Sequence, residues 1–174
     1  PEVGLEVILR SGAGNKPQDV EPETRRLLVA SAWTKTKETH PYGRAAAYRV
    51  LGILDADDRK GVGVLLLDGT GTPLPDIDWV AIPGGAFTYQ KGEVDAREVT
   101  LPPFKIARYP VTWIQFQAFV DDPDGYGNMD CWAGLEKRTD KPQDAYWPIA
   151  NHPREEVDWD EAMAFGRWLT VRMR

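Results

Sequence analysis

The fold of this chain is decided by the stretch Ile82-Pro83-Gly84-Gly85-Ala86-Phe87. A pair of glycines between apolar residues predicts a hairpin turn, here joining a strand at 79–82 to a strand at 86–89. Two further strands are expected on either side of Pro102-Pro103, at 98–101 and 104–108. The middle of the chain is therefore predicted to be β-rich.

Two helix starts follow this region, and the first lies at Tyr109-Pro110-Val111-Thr112. Thr112 with Gln115 three residues later has the spacing of a capping box, in which each side chain bonds the backbone of the other residue. Phe116 and Phe119 lie one helical turn apart and predict the buried face of this helix.

The second helix start uses the same device, with Asp158 as the cap and Glu161 three residues later. Phe165 and Leu169 then recur at helical spacing. Asp158, Asp160 and Glu161 could also be taken for an acid–base pair, but capping and the helix dipole already explain carboxylates in a first turn. Roughly forty residues of loop separate the two helices, and a loop of this length is usually functional or heavily packed.

The first part of the chain is predicted to contain a helical hairpin, in contrast to the β-rich middle. We expect a strand at 3–9, a polar linker at 11–19, and a short helical hairpin whose helices begin near Pro22 and Pro41. An apolar run that ends at Asp68-Gly69 predicts another hairpin turn, and residues 70–78 are expected to be a connection. The predicted domain boundary lies near residue 75, giving segments 1–75 and 76–174.

Net charge and the length of apolar runs limit the kinds of partner that this chain is expected to bind. The 174 residues carry a net charge of −6, and neither half of the chain is basic, so nucleic acid and anionic membranes are not expected partners. No apolar run approaches the roughly 20 residues that a membrane span requires. Localisation stays open, with the cytoplasm slightly favoured. The chain ends inside a predicted helix, which suggests a fragment of a larger protein.

The sequence gives little support for a metal site or a reactive thiol. Cys131 is the single cysteine and is expected to pack as a small hydrophobe. His40 and His152 have no zinc-like spacing. An acidic loop follows the first of the two helices and offers oxygen ligands for calcium, but Tyr126 occupies the place of a needed ligand, so we expect a solvated loop. The loop comprises Asp121, Asp122, Asp124, Asn128 and Asp130. No catalytic, cofactor-binding or metal-binding residue is therefore assigned.

Aromatic residues in the long loop are the remaining candidates for a site. Trp132, Tyr146 and Trp147 could form a ligand-facing surface, since aromatic rings contact sugars and other ligands. Packing of an irregular domain would require the same residue types.

Residues 79–170 resemble the first part of the formylglycine-generating-enzyme domain, also called the sulfatase-modifying-factor domain. The resemblance rests on Trp79, residues 82–85, Phe87, residues 99–101, Phe104, Ile106, residues 109–112, Phe116, Phe119, Pro153, Val157, Trp159, Ala162, Phe165, Trp168 and Leu169. It implies an irregular α+β domain of C-type-lectin-like fold, incomplete here and preceded by the helical hairpin. The chain departs from the family at Tyr89-Gln90, where Met-Gly is usual, and at Gly166, where a cysteine is frequent.

The resemblance leaves two kinds of function open. Active members oxidise a substrate cysteine to formylglycine with oxygen and copper, and the two copper-binding cysteines belong to a later part of the domain that Cys131 does not match. Copper or calcium in the complete domain is thus an expectation only, and enzyme status is undecided. Other members with this fold are non-catalytic binding or display domains, including variable proteins of diversity-generating retroelements. The partner would then be a protein or a small molecule.

Residues 41–63 resemble the helical lead-in of such domains in large bacterial proteins that carry signalling modules. This resemblance implies a bacterial, multidomain origin, with the rest of the polypeptide as a partner.

Overall fold

The computed structural model of the chain describes residues 20–37, 40–66, 71–90, 96–135 and 139–174. Mixed helices and small antiparallel sheets make up these residues, in agreement with the predicted α+β class. In chain order the elements are α1 (Pro22–Lys35), α2 (Pro41–Ile53), β1 (Val64–Leu66), β2 (Pro73–Pro75), β3 (Trp79–Ile82), β4 (Gly85–Tyr89), β5 (Arg97–Leu101), β6 (Phe104–Ala107), α3 (Trp113–Asp121), a 3₁₀ helix (Met129–Trp132) and α4 (Trp159–Arg172).

Helices α1 and α2 begin at the prolines that predicted them, because proline fits the first turn, where its missing N–H is not needed. They pack against each other through a small buried cluster that includes Ala32, Val50 and Leu51. Trp33 meets Tyr48 edge to face, with 6.4 Å between the ring centroids. The strand predicted at 3–9, the linker at 11–19 and the Asp68-Gly69 turn lie outside the described residues.

Strands β1 and β2 are antiparallel, with Val64 opposite Pro75 and Leu66 opposite Pro73. The connection predicted over 70–78 therefore contains a short strand at Pro73–Pro75 that the sequence did not indicate. Proline lacks the N–H that an inner strand must donate, but a two-stranded sheet has only edge strands, on which proline is tolerated.

The predicted hairpin turn at Gly84-Gly85 is wrong, although the four strands of this region are present. Strand β3 pairs with β6, whereas β4 pairs with β5. The two antiparallel ladders share one register, so residues 79–89 and 97–107 form a single long ribbon. Gly84 lies in the interruption between the two ladders and not at a reversal of the chain.

Two features explain this interruption. Pro83 faces Pro102-Pro103 across the ribbon, and prolines cannot donate to the ladder. At Gly84 the strands approach so closely that an added Cβ would lie 2.7 Å from the Leu101 carbonyl oxygen and 2.8 Å from the Pro103 ring. Glycine is required there by the proximity of the opposite strand.

The ribbon keeps large apolar side chains partly in solvent. Trp79, Phe87 and Phe104 are all more than 40% exposed, and Ile106 is 53% exposed. Burial of these side chains therefore contributes little to the core of the described residues.

Helices α3 and α4 supply the main core. Phe119 lies at its centre, 5.4 Å from Trp168 and 5.9 Å from Phe165 between ring centroids. Phe116 stacks on Phe165 at 5.7 Å. The aromatic face predicted from the spacing of Phe116 and Phe119 is confirmed as buried.

Both predicted capping boxes are present. Gln115 Oε1 accepts from the Thr112 N–H at 3.0 Å, and Glu161 Oε2 accepts from the Asp158 N–H at 3.1 Å. Asp158 Oδ1 in turn accepts from the Glu161 N–H at 2.8 Å. These bonds satisfy N–H groups that a helix start leaves without partners.

Gln115 and Thr112 also bond the strand region that precedes them. The fully buried Gln115 amide donates to the carbonyl oxygens of Gly61, Gly63 and Asp76, and the Thr112 hydroxyl donates to Val62 O. Residues 61–63 and Asp76 are thereby held against the start of α3. Leu74 packs within the same core as α3 and α4.

Across the described parts of the chain, no helix has the length and apolar character needed to span a bilayer.

Candidate functional site

The three aromatic residues predicted to face a ligand lie in different surroundings. Trp132 is only 4% exposed, and its Nε1 donates to Tyr126 O at 2.8 Å while its ring meets Tyr126 edge to face. Tyr146 and Trp147 are 74% and 47% exposed. The structure thus places Trp132 in the core and leaves Tyr146 and Trp147 at the surface.

Tyr146 borders an open depression of about 380 Å³ within the loop between the helices. Lys141, Gln143, Asp144 and Glu156 line it as well, so its walls carry both signs of charge. Glu156 has a positive φ of 54°, an uncommon backbone conformation for a residue other than glycine.

Trp147 joins this loop to helix α2. The guanidinium carbon of Arg49 lies 4.5 Å from the centroid of the Trp147 ring, within the range of a cation–π contact. The ring of His152 lies on the same indole, with 6.2 Å between centroids. The Trp147 N–H donates to Glu155 Oε1 at 2.7 Å.

Glu155 is the acidic group of this neighbourhood. Burial would raise the pKa of its carboxyl, but the N–H of Trp147 and the charges of His152 and Arg154 together lower it. Its second oxygen, Oε2, is buried and has no hydrogen-bond partner among the described residues.

A larger cavity, of about 560 Å³, lies between α2 and the loop at 149–153. Residues one helical turn apart on α2 form one wall, and the loop forms the other. The lining comprises Ala45, Ala46, Tyr48, Arg49, Arg59, Asn151, His152 and Pro153.

Asn151 holds the two walls together. Its Nδ2 donates to Tyr48 O at 2.7 Å and to Asp57 Oδ2 at 2.6 Å. Gly52 makes this possible, since an added Cβ would lie 1.8 Å from Asn151 Oδ1.

Arg59 also lines the cavity, and it shares Asp57 with Asn151. It forms a bidentate pair with Asp57, at 2.9 and 2.6 Å, and its guanidinium carbon lies 3.7 Å from the centroid of Tyr48. Burial would raise the pKa of Asp57, but the hydrogen bonds from Arg59 and Asn151 and the Arg59 charge hold it below its usual range. The Arg59 charge is therefore neutralised within the protein.

Two polar atoms at this cavity lack partners. Arg49 Nε and His152 Nδ1 are both buried and have no hydrogen-bond partner among the described residues. Sequence reasoning did not predict that Arg49 and His152 line one cavity, because the two residues lie in distant parts of the chain and neither has a neighbouring motif.

The acidic loop and Cys131 form a separate region at the C-terminal end of α4. Asp122, expected in a solvated loop, is instead 3% exposed; it accepts from Trp168 Nε1 at 2.8 Å and pairs with Arg172 at 2.6 and 2.7 Å. Burial would raise its pKa, but the bonds from Arg172, the Asp124 N–H and Trp168 lower it. Asp122 is occupied in holding α4 and is not a free ligand. No group of three or more metal-binding side chains comes together among the described residues.

Cys131 is buried, as expected for a packed hydrophobe, at 6% exposure. Burial, together with the nearby charges of Asp130 and Asp122, raises the pKa of its thiol. A reactive cysteine needs the opposite environment, one that favours the thiolate.

Comparison of the sequence with known proteins shows which family it matches. A family model described as the sulfatase-modifying factor enzyme 1-like domain matches residues 71–174. The chain belongs to this family.

Two curated relatives of this sulfatase-modifying-factor chain are known at low identity. It is 30% identical over 134 residues to the formylglycine-generating enzyme of Thermomonospora curvata, covering 54% of the chain and 44% of that relative. It is 28% identical over 105 residues to the uncharacterized protein YfmG of Bacillus subtilis, covering 51% of the chain and 22% of that relative. The chain thus spans less than half the length of each. No solved structure matches it significantly.

The copper implied by the sulfatase-modifying-factor family does not fit the thiol present here. Copper(I) would need soft thiolate ligands, and the chain has one cysteine, whose burial raises the pKa of its thiol and so disfavours the thiolate. We therefore assign no copper ligand to this chain.

Proposed function

We propose that residues 76–174 are the front portion of a C-type-lectin-like domain of the formylglycine-generating type. In the complete domain the activity would be oxygen-dependent oxidation of a substrate cysteine. The family match over residues 71–174 and the 30% identity to a formylglycine-generating enzyme support this assignment.

The observation that carries this proposal is the environment of Cys131, the single cysteine of the chain. Its thiol is buried, its pKa is raised, and its Sγ lies 3.6 Å from Asp124 O. This portion therefore supplies scaffold, through the packing of α3 on α4, and the oxidising groups come from other residues of the protein.

The test is an oxidation assay on two polypeptides. The present chain and the product of the whole reading frame that contains it are each incubated with copper, oxygen and a cysteine-containing sulfatase peptide. Mass spectrometry should detect formylglycine with the whole product and none with the present chain. Turnover by the present chain alone would contradict the proposal.

A matched variant addresses the cysteine itself. Cys131→Ser in the whole product should leave turnover unchanged, provided that circular dichroism shows a native fold. Loss of turnover in a folded C131S protein would show that this thiol takes part in the reaction.

A second candidate is a non-catalytic ligand-binding or display domain. The observation that favours it is the exposure of Tyr146 and Trp147 beside two depressions. Exposed aromatic side chains on a long loop suit recognition. Absence of turnover by the folded, copper-supplied whole product would favour this candidate over the enzyme.

A further inference from the structure

We propose that the cavity between α2 and the loop at 149–153 binds a small carboxylate with an apolar body. Arg49 is the charged anchor, and His152 is the second hydrogen-bonding group. This inference is independent of the oxidation activity, since the cavity lies apart from Cys131 and involves the helical segment that precedes the family match.

The cavity has the dimensions of a small-molecule site. Its volume of about 560 Å³ lies within the range that such ligands occupy in proteins. Ala45, Ala46 and Pro153 give it an apolar wall, while Arg49 and His152 give it polar groups. Apolar walls with a few convergent polar groups are typical of ligand sites.

Both polar groups have unused bonding capacity at the cavity. Arg49 Nε and His152 Nδ1 are buried without hydrogen-bond partners among the described residues. Buried polar atoms are nearly always paired, so each exception calls for a partner. Both nitrogens are shielded from solvent, so a carboxylate in the cavity would supply these partners once the two side chains turn toward it.

The charges at the cavity favour a ligand with one negative charge. Arg59 is already neutralised by Asp57, at 2.6 Å. Arg49 contacts Trp147 by a cation–π interaction, and no ion pair of Arg49 with a described residue is present. Of the described residues that line the cavity, none is acidic, and the neighbouring loop residue Glu155 accepts a hydrogen bond from the Trp147 N–H.

The shape of the guanidinium favours a carboxylate over a phosphate. Its planar fork matches the two oxygens of a carboxylate, and such charge-assisted pairs are stronger than neutral hydrogen bonds. A phosphate dianion carries two charges, and Arg49 is the one arginine of the lining that no described carboxylate neutralises.

The experiment is a titration of the ¹⁵N-labelled chain with sodium benzoate, and separately with inorganic phosphate, followed by NMR. Benzoate should cause a saturable shift of the Arg49 Nε–H and His152 side-chain resonances. Arg49→Gln should weaken benzoate binding about tenfold or more, since it removes a charge-assisted pair. His152→Phe should weaken it by a smaller factor.

Two variants control this test. Arg26→Gln makes the same change on α1, where Arg26 is exposed and paired with Glu23, and should leave benzoate binding unchanged. Arg49→Lys keeps the charge but removes the planar fork, so its affinity for benzoate should lie between those of the native chain and Arg49→Gln. It serves as the test variant if Arg49→Gln does not fold.

Three results would overturn the proposal: no saturable shift with benzoate, equal affinity in folded Arg49→Gln or Arg49→Lys and the native chain, or tighter binding of phosphate than of benzoate. None of them bears on the oxidation assay, so failure of this site and failure of the proposed function remain distinguishable.

Discussion

Asp122 is buried between the indole of Trp168 and the guanidinium of Arg172. Replacing it with asparagine removes the charge opposite Arg172 and one acceptor of a buried network. We expect Asp122→Asn to lower the free energy of unfolding by about 2 kcal/mol, because it removes the charge-assisted hydrogen bonds from Arg172 and leaves that guanidinium only the more distant Asp124 carboxylate, at 3.5 Å. Urea denaturation of the variant measures this. Asp121→Asn, on an exposed neighbour that bonds Gln117, is the control and should change stability by less than about 0.5 kcal/mol.

The same residue gives a pH dependence. The folded-state pKa of Asp122 is lowered, so its contribution is complete above the unfolded carboxyl pKa of about 3.9 and is lost as pH falls through the lower folded value. The stability difference between the native chain and Asp122→Asn should therefore shrink below about pH 4. A difference that stays constant down to pH 2 would contradict this assignment.

At the scale of the elements, the interrupted ribbon depends on Gly84. We expect Gly84→Ala to separate the two strands locally, because the added Cβ would lie 2.7 Å from Leu101 O. The free energy of unfolding should fall by about 1–3 kcal/mol. In hydrogen exchange, the amides of strands β3 to β6 should lose protection while those of α3 and α4 keep theirs. Gly127→Ala is the matched control, since no atom outside its chain neighbours lies within 4 Å of the added Cβ. Equal amide protection of the ribbon in Gly84→Ala and Gly127→Ala would show that the close approach of Gly84 to Leu101 does not affect stability.

The elements show which part of the fold the sequence could predict. The starts of α3 and α4 were predictable because a capping box is complete within three residues, as at Thr112 with Gln115 and at Asp158 with Glu161. Strand pairing was not, because Ile82 pairs with Phe104 and not with the nearer β4. The Gly-Gly pair has the composition of a turn, but the proline pair opposite it decides the geometry.

At the scale of the whole molecule, Asn151 bonds Tyr48, which lies 103 residues earlier in the chain. We expect Gly52→Ala to break this contact, because the added Cβ would overlap Asn151 Oδ1 and approach Ile149 to 2.9 Å. The free energy of unfolding should fall by about 2 kcal/mol, with loss of amide protection in α1 and α2. The matched control is Gly166→Ala on α4, where the added Cβ would have no described residue within 4 Å beyond its chain neighbours and the backbone of its own helix. It should stabilise the protein by about 0.5–1 kcal/mol, because alanine is the better helix former.

Long-range contacts also explain why the candidate site was only partly predictable. The exposure of Tyr146 and Trp147 agrees with their loop position, whereas Trp132 is buried because Tyr126 and Cys131 belong to the same core. Arg49 and His152 meet at one indole through the folding of the loop onto α2. No local pattern in either segment indicates that meeting.

The burial of Cys131 makes the chain its own conformational reporter. Because the chain has no other thiol and this one is buried within the 3₁₀ helix, a maleimide or iodoacetamide reagent should modify it only when the surrounding structure opens. The alkylation rate in dilute denaturant would therefore measure how often the 3₁₀ helix separates from α4, without any engineered probe.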